Sequence, residues 1–242
     1  MRKIFLSFVF VLSFYQSTIA QEKFSIDVSV GYSRPMLETY GEKATISDAQ
    51  DIVFIDGKRI IESDNFATNT GLNFEAMAKL SLMKKGHIRG LFNLGYNVLT
   101  ATYPTKGETF GMRIQSFSVG TGVEINPFGI KKFYPSIYGL MRMNFIGGET
   151  FFQAGLDFFK VTSRFGYLAG IETKLNVSRI IDIKAGYSYA YDNAWGKDSD
   201  ETFTTDNRTI PFRDKKTSTN NLTSDRRVAY YSIYFGLSFK IK

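Results

Sequence analysis

Apolar and polar residues alternate along eight separate stretches of this chain. The stretches span residues 24–32, 72–82, 88–98, 117–125, 137–145, 165–175, 181–191 and 229–241. Side chains of a β-strand point to opposite faces in turn, so each stretch predicts a strand with one apolar and one polar face. The pattern predicts an all-β fold of eight strands in one domain, with no helix of note.

The connections between these strands alternate in length. Those at 84–87, 126–132 and 176–179 are short, those near 35–70, 147–163 and 192–227 are long, and the one at 101–112 is intermediate. Alternate connections of an antiparallel meander lie at opposite ends, so one end of the fold is trimmed and the other elaborated. We call these the short-turn end and the long-connection end. Such asymmetry is typical of transmembrane β-barrels.

Three features distinguish a membrane barrel from a soluble barrel, whose apolar face would point inward. The apolar faces run for about 10 residues per strand, which is the length that a tilted strand needs to cross a bilayer. Aromatic residues cluster near the strand ends, as interfacial girdles do. The loop asymmetry also disfavours the soluble alternative. We therefore predict an eight-stranded antiparallel up-and-down transmembrane β-barrel, whose last strand (229–241) pairs with its first (24–32).

The polar faces carry equal numbers of acidic and basic residues. These are Asp27, Glu75, Glu124, Glu172 and Asp182 against Lys79, Arg89, Arg142, Lys174 and Lys184. Paired charges are tolerated in a narrow interior where isolated ones are costly. The interior of an eight-stranded barrel is just wide enough for side chains. We therefore predict a packed interior ion-pair network and not a conducting pore.

The first 20 residues have the layout of a secretory signal peptide. Basic Arg2 and Lys3 precede the apolar run 4–14, and small residues lead to a predicted cut between Ala20 and Gln21. The expected division is a signal peptide at 1–20 and a barrel domain at 21–242. Export and the barrel together predict the cell outer membrane, with both termini periplasmic.

The charge of the chain limits which classes of partner are expected. The formal net charge is +7, and removing Arg2 and Lys3 leaves +5. The basic residues are scattered and the chain is predicted to be exported, so nucleic acid is not an expected partner. Outer-membrane lipid, both lipopolysaccharide and phospholipid, is expected, and an envelope or secretion-machinery protein is a candidate.

The long connections contain two readable features. The sequence IVFIDGKRII (52–61) places two apolar runs around Asp56-Gly57 and predicts a hairpin. The connection 192–227 is polar and highly charged, which predicts mobility. Trp195 within it is a candidate loop contact or a rim anchor.

No catalytic or metal site is indicated. The single histidine, His87, lies in a short turn, and the chain has no cysteine. Enzymes on comparable barrels combine a histidine with Ser, Asp or Glu at the membrane plane or the outer rim, so His87 is badly placed. We expect no cofactor, no metal and no catalysis.

Two segments carry a family resemblance. GVEINPFGIKKFYPSIYGLMRMNF (122–145) and FGYLAGIETKLNVSRIIDIKAGYSYAY (165–191) resemble strand–turn–strand units of small outer-membrane barrels. The whole mature chain resembles the OmpA/OmpX-like and PorT-like families of Gram-negative bacteria, most closely the Bacteroidota type. It departs from proteobacterial barrels in ending on Lys242, with Phe239 three places earlier, where those usually end on an aromatic residue.

This resemblance implies a fold and a location more than an activity. The leading expectation is a non-enzymatic barrel that acts in surface interaction or envelope structure through its outer loops. Two alternatives stay open: an accessory barrel of a protein-secretion apparatus, as PorT-like barrels imply, and a small porin-like pore.

Overall fold

The structure is a computed structural model. It describes residues 24–40, 44–46, 53–55, 58–59, 66–83, 86–104, 109–152, 155–199, 209–210, 212–218, 222 and 224–241. The predicted signal peptide and its cut between Ala20 and Gln21 lie outside these residues. Within them, no helix is long and apolar enough to cross a bilayer.

Twelve strands and one short 3₁₀ helix make up the described chain. The strands are β1 (Phe24–Met36), β2 (Ala44–Ile46), β3 (Val53–Ile55), β4 (Lys58–Arg59), β5 (Thr70–Ser81), β6 (Ile88–Pro104), β7 (Thr109–Ile125), β8 (Phe133–Phe152), β9 (Gly155–Asn176), β10 (Ile181–Trp195), β11 (Thr209–Ile210) and β12 (Ala229–Ile241). The 3₁₀ helix, Leu37–Thr39, follows β1 directly. The eight predicted strands are all present, each within one of the long strands except that β5 ends at Ser81, one residue before the end of the predicted stretch 72–82.

Eight of the strands close into a barrel. The hydrogen-bonded order is β10, β12, β1, β5, β6, β7, β8 and β9, and a further pairing of β9 with β10 completes the circle. All pairs of this circle are antiparallel. The predicted seam is confirmed, because β1 pairs with β12 from Phe24 opposite Ile241 to Met36 opposite Ala229.

The apolar face of each barrel strand points outward. On β1, Ile26, Val28 and Val30 are 39%, 41% and 49% exposed, whereas Asp27 between them is fully buried. The same alternation exposes Phe74, Phe92, Phe117, Ile137, Ile171, Ile183 and Phe235 on the other seven strands. A closed barrel leaves no unpaired strand edge, and an apolar outer belt is what lipid requires. The chain is therefore a transmembrane β-barrel.

Several strands continue far beyond the belt at the long-connection end. Strands β8 and β9 have 20 and 22 residues, about twice the length that crossing requires. The segment 147–163, expected to be a loop, is mostly a β-ribbon, and β10 continues to Trp195 into the segment expected to be the last loop. In these segments, pairing with neighbouring strands satisfies the backbone hydrogen bonds, and no continuous apolar face is needed. The alternation of apolar and polar residues therefore does not predict them.

The first long connection contains the predicted hairpin. Strands β3 and β4 pair antiparallel, with Phe54 opposite Arg59 and Ile55 opposite Lys58, and β2 pairs with the other edge of β3. Two of the short turns at the opposite end use glycine in the left-handed region, with φ of 66° at Gly86 and 65° at Gly129. Other residues adopt that conformation only at a cost, so glycine permits these tight reversals.

Candidate functional site

The ten charged residues of the predicted network all point into the barrel. Nine of them are 3% exposed or less, and the side chain of Glu75 is 8% exposed. They lie on the inner face because each alternates with an outward apolar neighbour. Nine of the ten are joined into two clusters, one towards each end of the barrel.

The larger cluster centres on Lys79 of β5. Its ammonium lies 3.0 Å from Asp27 and 2.5 Å from Glu172, and it also pairs with Glu124. Asp27 in turn pairs with Lys174 at 2.8 Å and Lys184 at 3.4 Å. Arg89 pairs with Glu124 and completes this set, which we call the Lys79 cluster. It ties together six of the eight barrel strands.

The second cluster centres on Arg142 of β8. The guanidinium lies 3.1 Å from Glu75 and 2.5 Å from Asp192, and it donates to the Tyr230 hydroxyl at 3.1 Å. Sequence reasoning missed Asp192 because it assigned that residue to the last long connection. The structure continues β10 to Trp195, so Asp192 takes an inward position.

Asp182 lies apart from both clusters. It accepts a hydrogen bond from Tyr134 at 2.9 Å and pairs with Lys240 at 2.7 Å. Lys240 lies near the short-turn end of β12, yet its side chain is buried. A signal was present in the sequence: Lys240 continues the inward series of Ser232 and Ser238 on β12.

Aromatic side chains from two connections close the long-connection end. Phe66, which precedes β5, stacks on Phe212 of the last connection with ring centroids 4.9 Å apart, and Phe159 of β9 meets Phe212 edge-on at 6.0 Å. All three side chains are buried. Tyr103 donates to the Ala67 carbonyl at 2.9 Å and fixes the chain beside Phe66. We call this group the aromatic plug.

Asp214 holds the last connection down on the plug. Its carboxylate accepts two hydrogen bonds from Arg164, at 2.8 and 3.0 Å. It also accepts from the Asn193 amide at 2.9 Å and from the Asp198 backbone N–H at 2.8 Å. The structure differs here from the expected mobile loop, because the described residues Phe212, Asp214 and Arg226 are buried. Two of the charges that suggested mobility, Asp214 and Arg226, are therefore buried, whereas Lys215, Lys216 and Asp225 are exposed.

A second ion pair fastens the same connection outside the plug. Arg227 donates to both carboxylate oxygens of Glu38, each at 2.6 Å. Burial alone would raise the pKa of Glu38, but the hydrogen bonds and charge of Arg227 outweigh it and hold that pKa below its ordinary value. The hydrogen bonds to Glu38 raise the pKa of Arg227.

Trp195 ends β10 at the membrane rim. Its side chain is 52% exposed, and its ring centroid lies 6.2 Å from that of Tyr167. Tyr191 and Tyr189 pack on the same Tyr167 ring at 5.8 and 6.2 Å. A cluster of amphipathic rings outside the barrel is typical of the membrane–water interface.

The remaining chemistry-bearing residue is His87. It lies at the short-turn end, where its Nδ1 is 3.0 Å from the Asn126 carbonyl oxygen. Asn126 returns a backbone hydrogen bond to the His87 carbonyl at 2.8 Å, so the pair ties two turns together. Among the described residues, no group of His, Cys, Asp or Glu side chains is arranged to hold a metal ion.

Comparison with solved structures gives several similar barrels. The attachment invasion locus protein Ail of Yersinia pestis is 11% identical, with 92% of this chain and 100% of that chain covered and a TM-score of 0.45. Neisserial surface protein A is 13% identical, with 92% and 99% covered and a TM-score of 0.44. The outer membrane protease OmpT of Escherichia coli is 10% identical, with 95% and 100% covered and a TM-score of 0.41.

No protein-family model and no curated protein sequence matches the chain. The fold is that of a small transmembrane β-barrel, and this conclusion rests on the strand closure and the apolar belt described above.

Proposed function

We propose that this protein is a non-enzymatic outer-membrane barrel that acts in surface interaction or envelope structure through its long-connection end. The observation that carries this proposal is the difference between the two ends. Turns of a few residues join the strands at one end, whereas β6–β7 and β8–β9 project beyond the apolar belt at the other. Long outer loops and short periplasmic turns give transmembrane barrels their orientation.

The projecting part is an ordered sheet and offers a defined surface. Strands β7 and β8 remain paired up to Gly111 and Phe151, and Arg113 forms an ion pair with Glu149 across them. The ribbon also exposes two apolar side chains, Phe158 at 47% and Val161 at 67%. A rigid sheet loses little conformational entropy when a partner binds, so it suits recognition better than a flexible loop.

The filled interior favours a structural or binding role for the barrel over a role as a channel. The Lys79 and Arg142 clusters occupy the lumen, and the aromatic plug covers it at the long-connection end. Conduction would require breaking buried ion pairs, which is costly. The small-pore alternative is therefore less favoured. The accessory secretion role and the Bacteroidota affiliation remain predictions from the sequence resemblance.

The location and orientation are tested first. An epitope placed between Phe152 and Gly155, at the ribbon tip, should be accessible on intact cells, and one placed in the 84–85 turn should be accessible only after the outer membrane is opened. The protein should fractionate with the outer membrane and migrate differently in gels before and after heating. Recovery as a soluble periplasmic protein would reject the proposal.

The role of the projecting sheet is tested by shortening it. A variant that joins Gly147 to Val161 should keep heat-dependent migration but lose binding of intact cells to host or neighbouring-cell surfaces, or lose envelope integrity measured by detergent sensitivity. A variant shortened in the 84–85 turn is the control. Unchanged binding and integrity would contradict the proposal, as would discrete single-channel conductance of the wild type in planar bilayers.

A further inference from the structure

The short turns share a composition that the proposed function does not use. Each exposes apolar side chains, namely Leu82 and Met83, Phe128, and Val177 and Ile180, which are 52–60% exposed. They lie directly beyond the apolar belt. Exposed apolar side chains next to a lipid-facing belt extend the surface that is favourable to remove from water.

The charged residues of the same turns are all positive. Lys132 and Arg179 are exposed and Lys131 is half-buried, and the sequence adds Lys84 and Lys85. No acidic residue occurs in connections 82–87, 126–132 and 176–180. Among the residues that the structure describes, the acids nearest to these turns, Glu124 and Asp182, are buried and ion-paired inside the barrel. The rim therefore presents positive charge beside an apolar surface.

A groove in the outer wall opens beside this rim. It has a volume of about 480 Å³ and is lined by residues of β8, β9 and β10 and by Pro127 of the second short turn. Its floor follows a transverse row of small outward residues, because Pro135 pairs with Thr173 and Thr173 pairs with Ala185.

Larger side chains border this floor on both sides. The row towards the middle of the barrel contains Ile137, Ile171 and Tyr187, and the row towards the rim contains Phe133, Leu175 and Ile183. The groove is thus a trough in the lipid-facing wall.

The basic residues gather next to the groove. Asn176, the last residue of β9, donates its backbone N–H to the Lys132 carbonyl at 2.7 Å. This bond sets the Lys131–Lys132 segment beside the turn that carries Arg179. Pro127 belongs to the same short turn as Lys131 and also lines the groove. The two backbone segments that carry the three cations therefore adjoin each other at the rim end of the trough.

We propose that this groove and its basic rim form a binding site for an anionic glycerophospholipid of the periplasmic leaflet. An acyl chain lies along the Pro135–Thr173–Ala185 floor, and the phosphate is held by Lys131, Lys132 and Arg179. A neutral lipid would fit the groove but leave the rim charge uncompensated, so charge complementarity selects an anionic headgroup. This inference rests on the proposed membrane location and orientation.

The test compares lipids on the folded, heat-modifiable protein in neutral detergent. Native mass spectrometry should show retention of phosphatidylglycerol over phosphatidylcholine. The triple variant Lys131→Gln, Lys132→Gln, Arg179→Gln should lose that preference, by about fivefold for each charge removed. A matched triple variant at the opposite end, Lys160→Gln, Lys215→Gln, Lys216→Gln, should retain it.

The groove is tested separately from the charges. Ala185→Phe should fill the floor and reduce retention of both lipids, and Thr173→Leu provides a second filling variant on the neighbouring strand. Equal retention of the two lipids by the wild type, or unchanged preference in the rim triple variant, would overturn the proposal. So would rim crosslinking in cells that captures a periplasmic protein and no lipid. A protein that fractionates with the outer membrane yet shows no preference rejects this site alone, whereas one that does not enter the membrane rejects the proposed function.

Discussion

At the scale of single residues, burial decides how much each ion pair contributes. Lys79 compensates three buried carboxylates, whereas Arg113 pairs with Glu149 while 42% of its side chain is exposed. Removing one partner of a buried pair leaves an uncompensated charge, and water solvates an exposed partner that loses its pair. Replacing Lys79 should therefore cost more stability than replacing Arg113, although both residues form ion pairs between strands.

Lys79→Met should destabilise the barrel by about 3–5 kcal/mol, since Asp27, Glu124 and Glu172 lose their shared cation. Urea unfolding in lipid vesicles measures this change. Arg113→Met is the matched control and should cost about 1 kcal/mol or less. Equal losses in the two variants would show that the Lys79 cluster is not the buried network described.

The Glu38–Arg227 pair predicts a local pH dependence. The folded-state pKa of Glu38 is held below its ordinary value of 4.5, so the pair stabilises above that pH and its contribution disappears as the pH falls through the lowered pKa. The difference in urea midpoint between wild type and Glu38→Gln should be largest at neutral pH and shrink on acidification. A difference that is constant from pH 7 to pH 3 would contradict this.

At the scale of elements, the last connection is held by its own charges. The Asp214 carboxylate accepts hydrogen bonds from Arg164 of β9, from Asn193 of β10 and from the backbone N–H of Asp198. Composition alone cannot show this arrangement, because an acidic residue in a polar segment has the same sequence signature whether it is solvated or buried. Two of the partners of Asp214, Arg164 and Asn193, come from barrel strands outside this segment.

Asp214→Asn should release the connection from the plug. The amide cannot form the same charged pair with Arg164, so trypsin should cut after Lys215, Lys216 or Arg226 about tenfold faster, while the barrel stays heat-modifiable. Asp225→Asn is the control, because Asp225 lies in the same connection and is 49% exposed. Equal cleavage rates in the two variants would show that Asp214 does not hold the connection.

At the scale of the whole molecule, closure depends on the register of one seam. Ile26 lies opposite Phe239, and both side chains face outward. Directly opposed Cβ atoms are about 4.5–5.5 Å apart, whereas diagonal neighbours are about 7–8 Å apart. Since the chain has no cysteine, introduced pairs report on this register without background.

Ile26→Cys with Phe239→Cys should therefore form a disulfide across the seam, seen as a reductant-sensitive shift of the heated protein in gels. The diagonal pair, Ile26→Cys with Leu237→Cys, should crosslink poorly. The reverse result would mean that the seam is displaced by two residues, and crosslinking of neither pair would argue against closure between β1 and β12.

Much of this architecture follows from residues that are near one another in the sequence. A strand face repeats every two residues, so Ile26, Val28 and Val30 identify a strand and its lipid-facing side without any knowledge of the partner. Asp56-Gly57 identifies a hairpin in the same local way. The inward direction of Lys79 and Glu172 follows from their apolar neighbours.

Pairing between distant residues was decided by the tertiary structure. Lys79 and Glu172 are brought together only when the sheet curves into a closed circle, and the Asp214–Arg164 pair forms only when the last connection folds over the lumen. Local alternation encodes which face a side chain takes, because that property belongs to one strand. Which charge lies opposite it depends on closure and shear, properties that belong to all eight strands at once.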